Sequence, residues 1–394
     1  MNKIGKLSFS ILLLFICLIK RIAFVCTFKN VAFRKKPIHI MFCTVDHYEP
    51  GTQSASMEIE FQRVNDLLST FPKIVENHRD SAGNIPKRTW FFPPHYHRNG
   101  SLKKLVELCA RGYGEIEFHL HHGKTEPDTP ENLEKTIRKT IEEYSKFGIF
   151  GKCNGQIKYG FIHGDWALEN SRNNNFCGVN NEIELLIKTG CYADFTFPSC
   201  IENNPLKINT IFYVKEDPSK PKSYRRGRSV MDQKRTPGDL MLVQGPIYPY
   251  LFFKRKYFPL LKINAAAIDD KFQFSKNRID VLVKAGIHLK GKNNWIFIKT
   301  HTHGALDNKV VLGQKMNKIF SYLETKYNDG KHFVLHYVTA REMYNIINAM
   351  EENKTGDNPE LYRNYKITPP IYNTSIDILE MSEELKKLVF KTYR

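Results

Sequence analysis

The sequence predicts an α/β protein, a distorted (β/α) barrel of about seven strands with a membrane-associated helix in front of it, and three observations lead there. Short apolar runs of strand character alternate with segments whose apolar residues recur at helical spacing, the mark of right-handed βαβ units on a parallel sheet. The alternation repeats about seven times, which favours a closed or nearly closed barrel over an open doubly wound sheet. Nine of the 14 histidines, His47, His95, His97, His119, His121, His122, His163, His301 and His303, fall just past the strand-like runs. In parallel α/β folds the C-terminal strand ends form the mouth where catalytic groups gather.

The elements follow in order. Lys3 and Lys6 precede an uncharged run over 7–19, and Lys20 and Arg21 separate it from a second apolar stretch over 22–28. The first run is shorter than the ~20 residues that span a bilayer, and no small-x-small cleavage site follows. Residues 1–36 therefore read as an uncleaved anchor or an in-plane membrane helix. Lys20, Arg21, Arg34, Lys35 and Lys36 weigh toward a cytoplasmic C-terminal side without fixing it. A catalytic barrel is expected over 37–350, opening with a strand at 38–44. A helix through Val64, Leu67, Leu68, Phe71, Ile74 and Val75 comes next, and Pro72 should kink or interrupt it. Strands are expected at 89–92, 115–119, 158–163, 193–197, 295–300 and 333–338. The helices between them start at Ser101, at Thr129 with Pro130 in the first position, at Glu182, and around Met316. Thr339 and Glu342 form a capping box for the last clear helix. Residues 201–294 read as an irregular insertion near the mouth, with the basic cluster Arg225, Arg226 and Arg228, and 351–394 as a C-terminal extension.

Composition bounds the function. Hydrophobic residues at 41% and aromatics at 12% belong to a globular chain, and the formal charge of +18 favours anionic partners or reflects a lysine-rich surface. No zinc-finger spacing, basic-region heptad or RNA-binding aromatic motif is present, which argues against nucleic acid. The eight cysteines are scattered with no Cys-x-x-Cys pair, so they read as buried thiols.

Chemistry concentrates in three segments. Thr44-Val45-Asp46-His47-Tyr48-Glu49-Pro50 follows the first strand, and His119-Leu120-His121-His122-Gly123 runs off the third. Alternate strand residues share a face, so His119 and His121 could point together, with His122 turning inward once the loop begins. Imidazoles opposite an Asp-His pair are the ligand set of zinc and its divalent neighbours. In the third segment, His163-Gly164-Asp165-Trp166, a histidine and a carboxylate could orient a base, bind metal or form a structural turn.

The order of a strand, Thr-Val-Asp-His, then Thr89-Trp90-Phe91-Phe92, then Gly-Glu-Ile-Glu-Phe-His resembles the polysaccharide deacetylases of the NodB-homology type over roughly 37–350. The resemblance implies Asp46 as catalytic base, His47 in the place of a metal-binding aspartate, and His119 as a ligand. It implies His121 or His122 as the displaced second histidine, since Gly123 occupies the expected position. His301, in Ile298-Lys299-Thr300-His301, is similar to the family's general acid. The family's Arg-Pro-Pro-Tyr-Gly segment is absent, and Phe161 to Leu168 stands there instead, which makes His163, Asp165 and His303 accessory candidates. The implied reaction is removal of N-acetyl groups from a glycan or glycolipid in cell-envelope polysaccharide metabolism. It would use one divalent ion, zinc first, with Co²⁺, Mn²⁺ or Ni²⁺ as substitutes. Trp90, Tyr96 and Trp166 are candidates for stacking on sugar rings. Two rival readings stand beside it: a glycoside hydrolase using two of Asp46, Glu49, Asp165 and Asp194, and a glycan-binding protein without activity.

Overall fold

The computed structural model describes residues 36–394 except 99, 197–206, 218–226, 232–234, 253–259, 265, 270–273, 307, 355, 378–379 and 394. Residues 1–35 of the expected membrane segment, and Arg225 and Arg226 of the basic cluster, lie outside the described residues. Among the described residues no helix is long and apolar enough to cross a membrane.

The first half of the chain follows the βα alternation. Strand β1 (Ile38–His47) leads to helix α1 (Met57–Val75), capped by Ser56, and β2 (Arg88–Phe92) leads to α2 (Ser101–Ala110). Strand β3 (Gly114–Leu120) leads to α3 (Pro130–Lys146), whose first turn is closed by the Thr129 hydroxyl accepting from the Asn132 amide. A short β4 (Gly151–Cys153) precedes β5 (Gln156–His163), α4 (Glu182–Thr189) and β6 (Cys191–Asp194). Pro72 does not interrupt α1. It lies in the last turn, where the amide it lacks forfeits a single bond and its own carbonyl still accepts from Glu76.

After β6 the alternation breaks. Strand β7 (Ile211–Lys215) pairs antiparallel with β8 (Arg228–Ser229) and with β9 (Asp239–Val243), and β10 (Tyr248–Phe252) pairs with β11 (Leu260–Asn264) in a separate ribbon. Regular units return with α5 (Lys276–Lys284), β12 (Trp295–Thr302), the turn α6 (Asn308–Val311) and α7 (Gln314–Tyr327). Strand β13 (Phe333–Tyr337) and α8 (Ala340–Glu351), which carries the expected capping box, complete them. A final helix, α9 (Glu383–Tyr393), packs on α3.

The main sheet is mostly parallel, has 11 strands and runs β12-β1-β2-β3-β5-β6-β9-β7-β8, with β13 beside β1 and β4 beside β5. Among the described residues it does not close. The expected seven-stranded barrel is therefore corrected to an open mixed α/β sheet. The cause is the 201–294 stretch, which supplies antiparallel strands where a barrel needs further βα units. On one edge of β1 the first half pairs with β13 and the second half with β2, while β12 covers the other edge.

Strand alternation divides the core. Ile38, Ile40 and Phe42 belong to a cluster with Trp90, Phe92, Phe118 and the apolar faces of α1, α2, α3, α4, α5 and α7. Met41, Cys43 and Val45 belong to a second cluster with Phe91, Phe195, Phe297 and α8. Every candidate side chain at the strand ends inherits one of these two faces.

Candidate metal centres

Continuing the second face along β1, β3 and β12 gives His47, His119 and His301, and the loops beyond add Glu49, His121 and His303. The imidazoles form a chain of ring contacts. His47 lies 6.4 Å from His301, 4.9 Å from His303 and 5.1 Å from His119, while His121 lies 4.7 Å from His119 and 5.9 Å from His95 between centroids. His95 in turn stacks on Tyr393 at 4.2 Å.

Within this chain Glu49, His119 and His121 offer three ligand atoms lying within 4.8 Å of one another. Glu49 Oε1 is 3.0 Å from His121 Nε2 and 4.0 Å from His119 Nε2. The other ring nitrogens are engaged: His119 Nδ1 donates to the Ile162 carbonyl at 2.8 Å, and His121 Nδ1 pairs with Asp165 at 2.8 Å. Such outer bonds orient metal-ligating imidazoles, turning both Nε2 atoms toward Glu49.

Burial lowers His121, but Glu49 and Asp165 outweigh it and raise it to about 9. Burial likewise opposes Glu49, yet His121 holds that carboxyl below its ordinary range. Burial and then His121 lower His119 to about 3, which leaves it in the neutral, ligating form. Burial and neighbouring imidazoles also keep His47, His95 and His301 well below the usual histidine value. A cation and the His121 proton compete for the same place. The site opens to solvent through Glu49 and His121, each 15% exposed, and Asp165 at 30%.

Asp46 stands apart. It lies on the first face with Thr44 and is fully buried, accepting from Arg88 Nη1 at 3.0 Å, Thr302 Oγ1 at 2.7 Å and the Gly304 amide at 2.7 Å.

His122 does not turn toward His119 and His121. It points to the first face, where His122, His163, Cys177 and Glu182 form a second group of ligand atoms within 4.8 Å of one another. A third group, Asp80, His336 and Glu360, is held by Arg363, which reaches Glu360 at 2.6 Å and Asp80 at 3.3 Å. A guanidinium already balances those carboxylates, so this group is an ion-pair network.

The remaining candidates divide similarly. Trp90 is fully buried with its ring 5.5 Å from Phe71, which makes it a core residue with no face for a sugar. Tyr96 packs on His95 at 4.2 Å, and Trp166 is half-buried beside Asp165 at the rim. His97 is buried between Tyr144 and Phe147, away from the ring chain. Arg88, Cys177, Glu182 and Tyr393 are site residues that sequence patterns did not single out. Cys177 and Glu182 could have been suspected from their proximity to His163 along the chain, whereas nothing local marks Tyr393. A cavity of about 740 Å³ lies elsewhere, among Tyr192, Arg235, Tyr344 and Glu351. The buried His, Cys and Glu groups can hold a metal ion. No family model and no curated protein sequence matches this chain.

Proposed function

We propose that the chain is a metal-dependent hydrolase that removes N-acetyl groups from a glycan or glycolipid of the cell envelope. The observation that carries this reading is the set Glu49, His119 and His121, with both Nδ1 atoms tied back and one side open to solvent. Two imidazoles and a carboxylate with an open position form the donor set of catalytic rather than structural zinc. An ion held there supplies Lewis-acid polarisation of an amide carbonyl and lowers the pKa of its water from ~15.7 toward ~7.

The chain's own groups do the rest. His303, whose ring centroid lies 4.9 Å from that of His47, is the group we assign to pass a proton to a departing amine, since burial holds His301 in its neutral form. Trp166, half-buried at the rim, offers an aromatic face to a sugar ring. Asp46 acts through Arg88 and the 302–304 turn, and so positions His303. The apolar segment 1–36 would keep the enzyme at a membrane surface.

One experiment covers the assignment: metal content, thermal unfolding and acetate release from N-acetylated oligosaccharides for the wild type, His119→Ala and Asp46→Asn. His119→Ala should lose one ion per chain and nearly all activity. Equal metal in both proteins removes His119 from the ligand set. Asp46→Asn deprives buried Arg88 of its counter-charge, so stability should fall by about 3–5 kcal/mol with metal retained. A rate lowered ~10²–10⁴-fold at unchanged stability would instead make Asp46 the base.

A further inference from the structure

We infer that the protein carries a second, closed metal site, formed by His122, His163, Cys177 and Glu182, which holds a structural ion of the zinc type. Three acceptor atoms converge there. His122 Nε2 is 3.1 Å from His163 Nε2 and 3.2 Å from Glu182 Oε1, and His163 Nε2 is 3.3 Å from that same oxygen. The opposite ring nitrogens are already committed, His122 Nδ1 to Asp128 at 3.0 Å and His163 Nδ1 to the Gly164 carbonyl at 2.5 Å. With the protons on Nδ1, two lone pairs and a carboxylate oxygen face one another. With protons on both Nε2 atoms, two N–H groups collide. A single cation standing in place of the Nε2 protons accepts both lone pairs and the carboxylate oxygen together.

The fourth side is sulfur. Cys177 Sγ lies 3.4 Å from Glu182 and accepts from the backbone amides of Asn170 at 3.3 Å and Val179 at 3.5 Å. Two imidazoles, a thiolate and a carboxylate select zinc or cobalt over calcium or magnesium. All four side chains are nearly sealed, His122 being the most exposed at 3%, so no substrate reaches them. That separates this group from the open Glu49 site and fits a structural role.

What the ion would hold is also visible. Residues 164–178 form short turns with left-handed backbone at Asp165, Asn170, Asn173 and Asn174, where Asx residues accept it readily, and at Trp166, Glu169 and Phe176, which adopt it only when surroundings impose it. Ligands from β5, from the loop after β3, from this segment and from α4 would tie it down beside Asp165, which braces His121 in the open site.

The test uses full-length protein stripped with a chelator and reloaded with Co²⁺ alone. Two equivalents should bind, and a sulfur-to-cobalt charge-transfer band should appear in the near ultraviolet. His119→Ala should keep the band, and Cys177→Ser should lose it. A wild type without the band, or a band that survives Cys177→Ser, overturns the proposal. Should Cys177→Ser fail to fold, X-ray absorption of the zinc-loaded wild type decides, since it must contain a Zn–S shell near ~2.3 Å. Failure here leaves the Glu49 site untouched, because that set contains no sulfur.

Discussion

Glu117 shows how far one buried carboxyl can govern stability. It lies on β3 two residues before His119, accepting from Tyr192 Oη and from the Gly160 amide, each at 2.6 Å. Burial raises its pKa to about 8, against an ordinary 4.5. The folded state thus keeps a proton that the unfolded chain releases, and the contribution is full below about pH 4.5 and lost as pH rises to about 8. Glu117→Gln cannot ionise and can preserve both bonds, with its amide donating to Tyr192. Relative to wild type it should therefore be near neutral at pH 4.5 and stabilised by roughly 2–4 kcal/mol at pH 8.5. Thermal unfolding of both proteins across that range checks this, and parallel profiles would show that Glu117 does not titrate there.

Among the elements, the loop after β3 is hemmed in at its glycine. Gly123 adopts φ +64°, and a Cβ there would lie 2.0 Å from the Cys177 carbonyl oxygen. Gly123→Ala should destabilise by at least ~2 kcal/mol and expose 164–178 to limited proteolysis, whereas Gly83→Ala, also at positive φ but with open space around it, should stay near the strain cost alone. Sequence patterns read such elements unevenly. The caps at Thr129 and Thr339 were legible because capping is local chemistry, and so was the shared face of His119 and His121, because strand period is fixed. The open sheet was not, since β7 to β9 pair antiparallel through contacts that no local pattern encodes. Where His122 points was not legible for a related reason: alternation ends at Leu120, and the turn around Gly123 decides where the next side chain goes. Glu49 is near His121 only through the fold of the loop after β1.

At the scale of the whole molecule, β1 begins at Ile38 and its strand pairing is with β2, β12 and β13. Deleting residues 1–35 should accordingly leave a folded domain that stays in solution, while the full chain co-sediments with anionic vesicles. Aggregation of the truncated protein alone would place the deleted segment in the core. The pairing of β1 also sets a schedule for assembly. Its register with β12 joins residues more than 250 apart, from His39 with Trp295 to Asp46 with Thr302, and β13 lies farther still. A nascent chain emerging from the ribosome therefore carries one of its most apolar strands with an edge unpaired until about three quarters of the protein has been made. The liability of this architecture is biosynthetic: interrupted translation before β12 releases a fragment with an adhesive edge, and chaperone demand during synthesis should exceed what the stability of the finished fold would suggest.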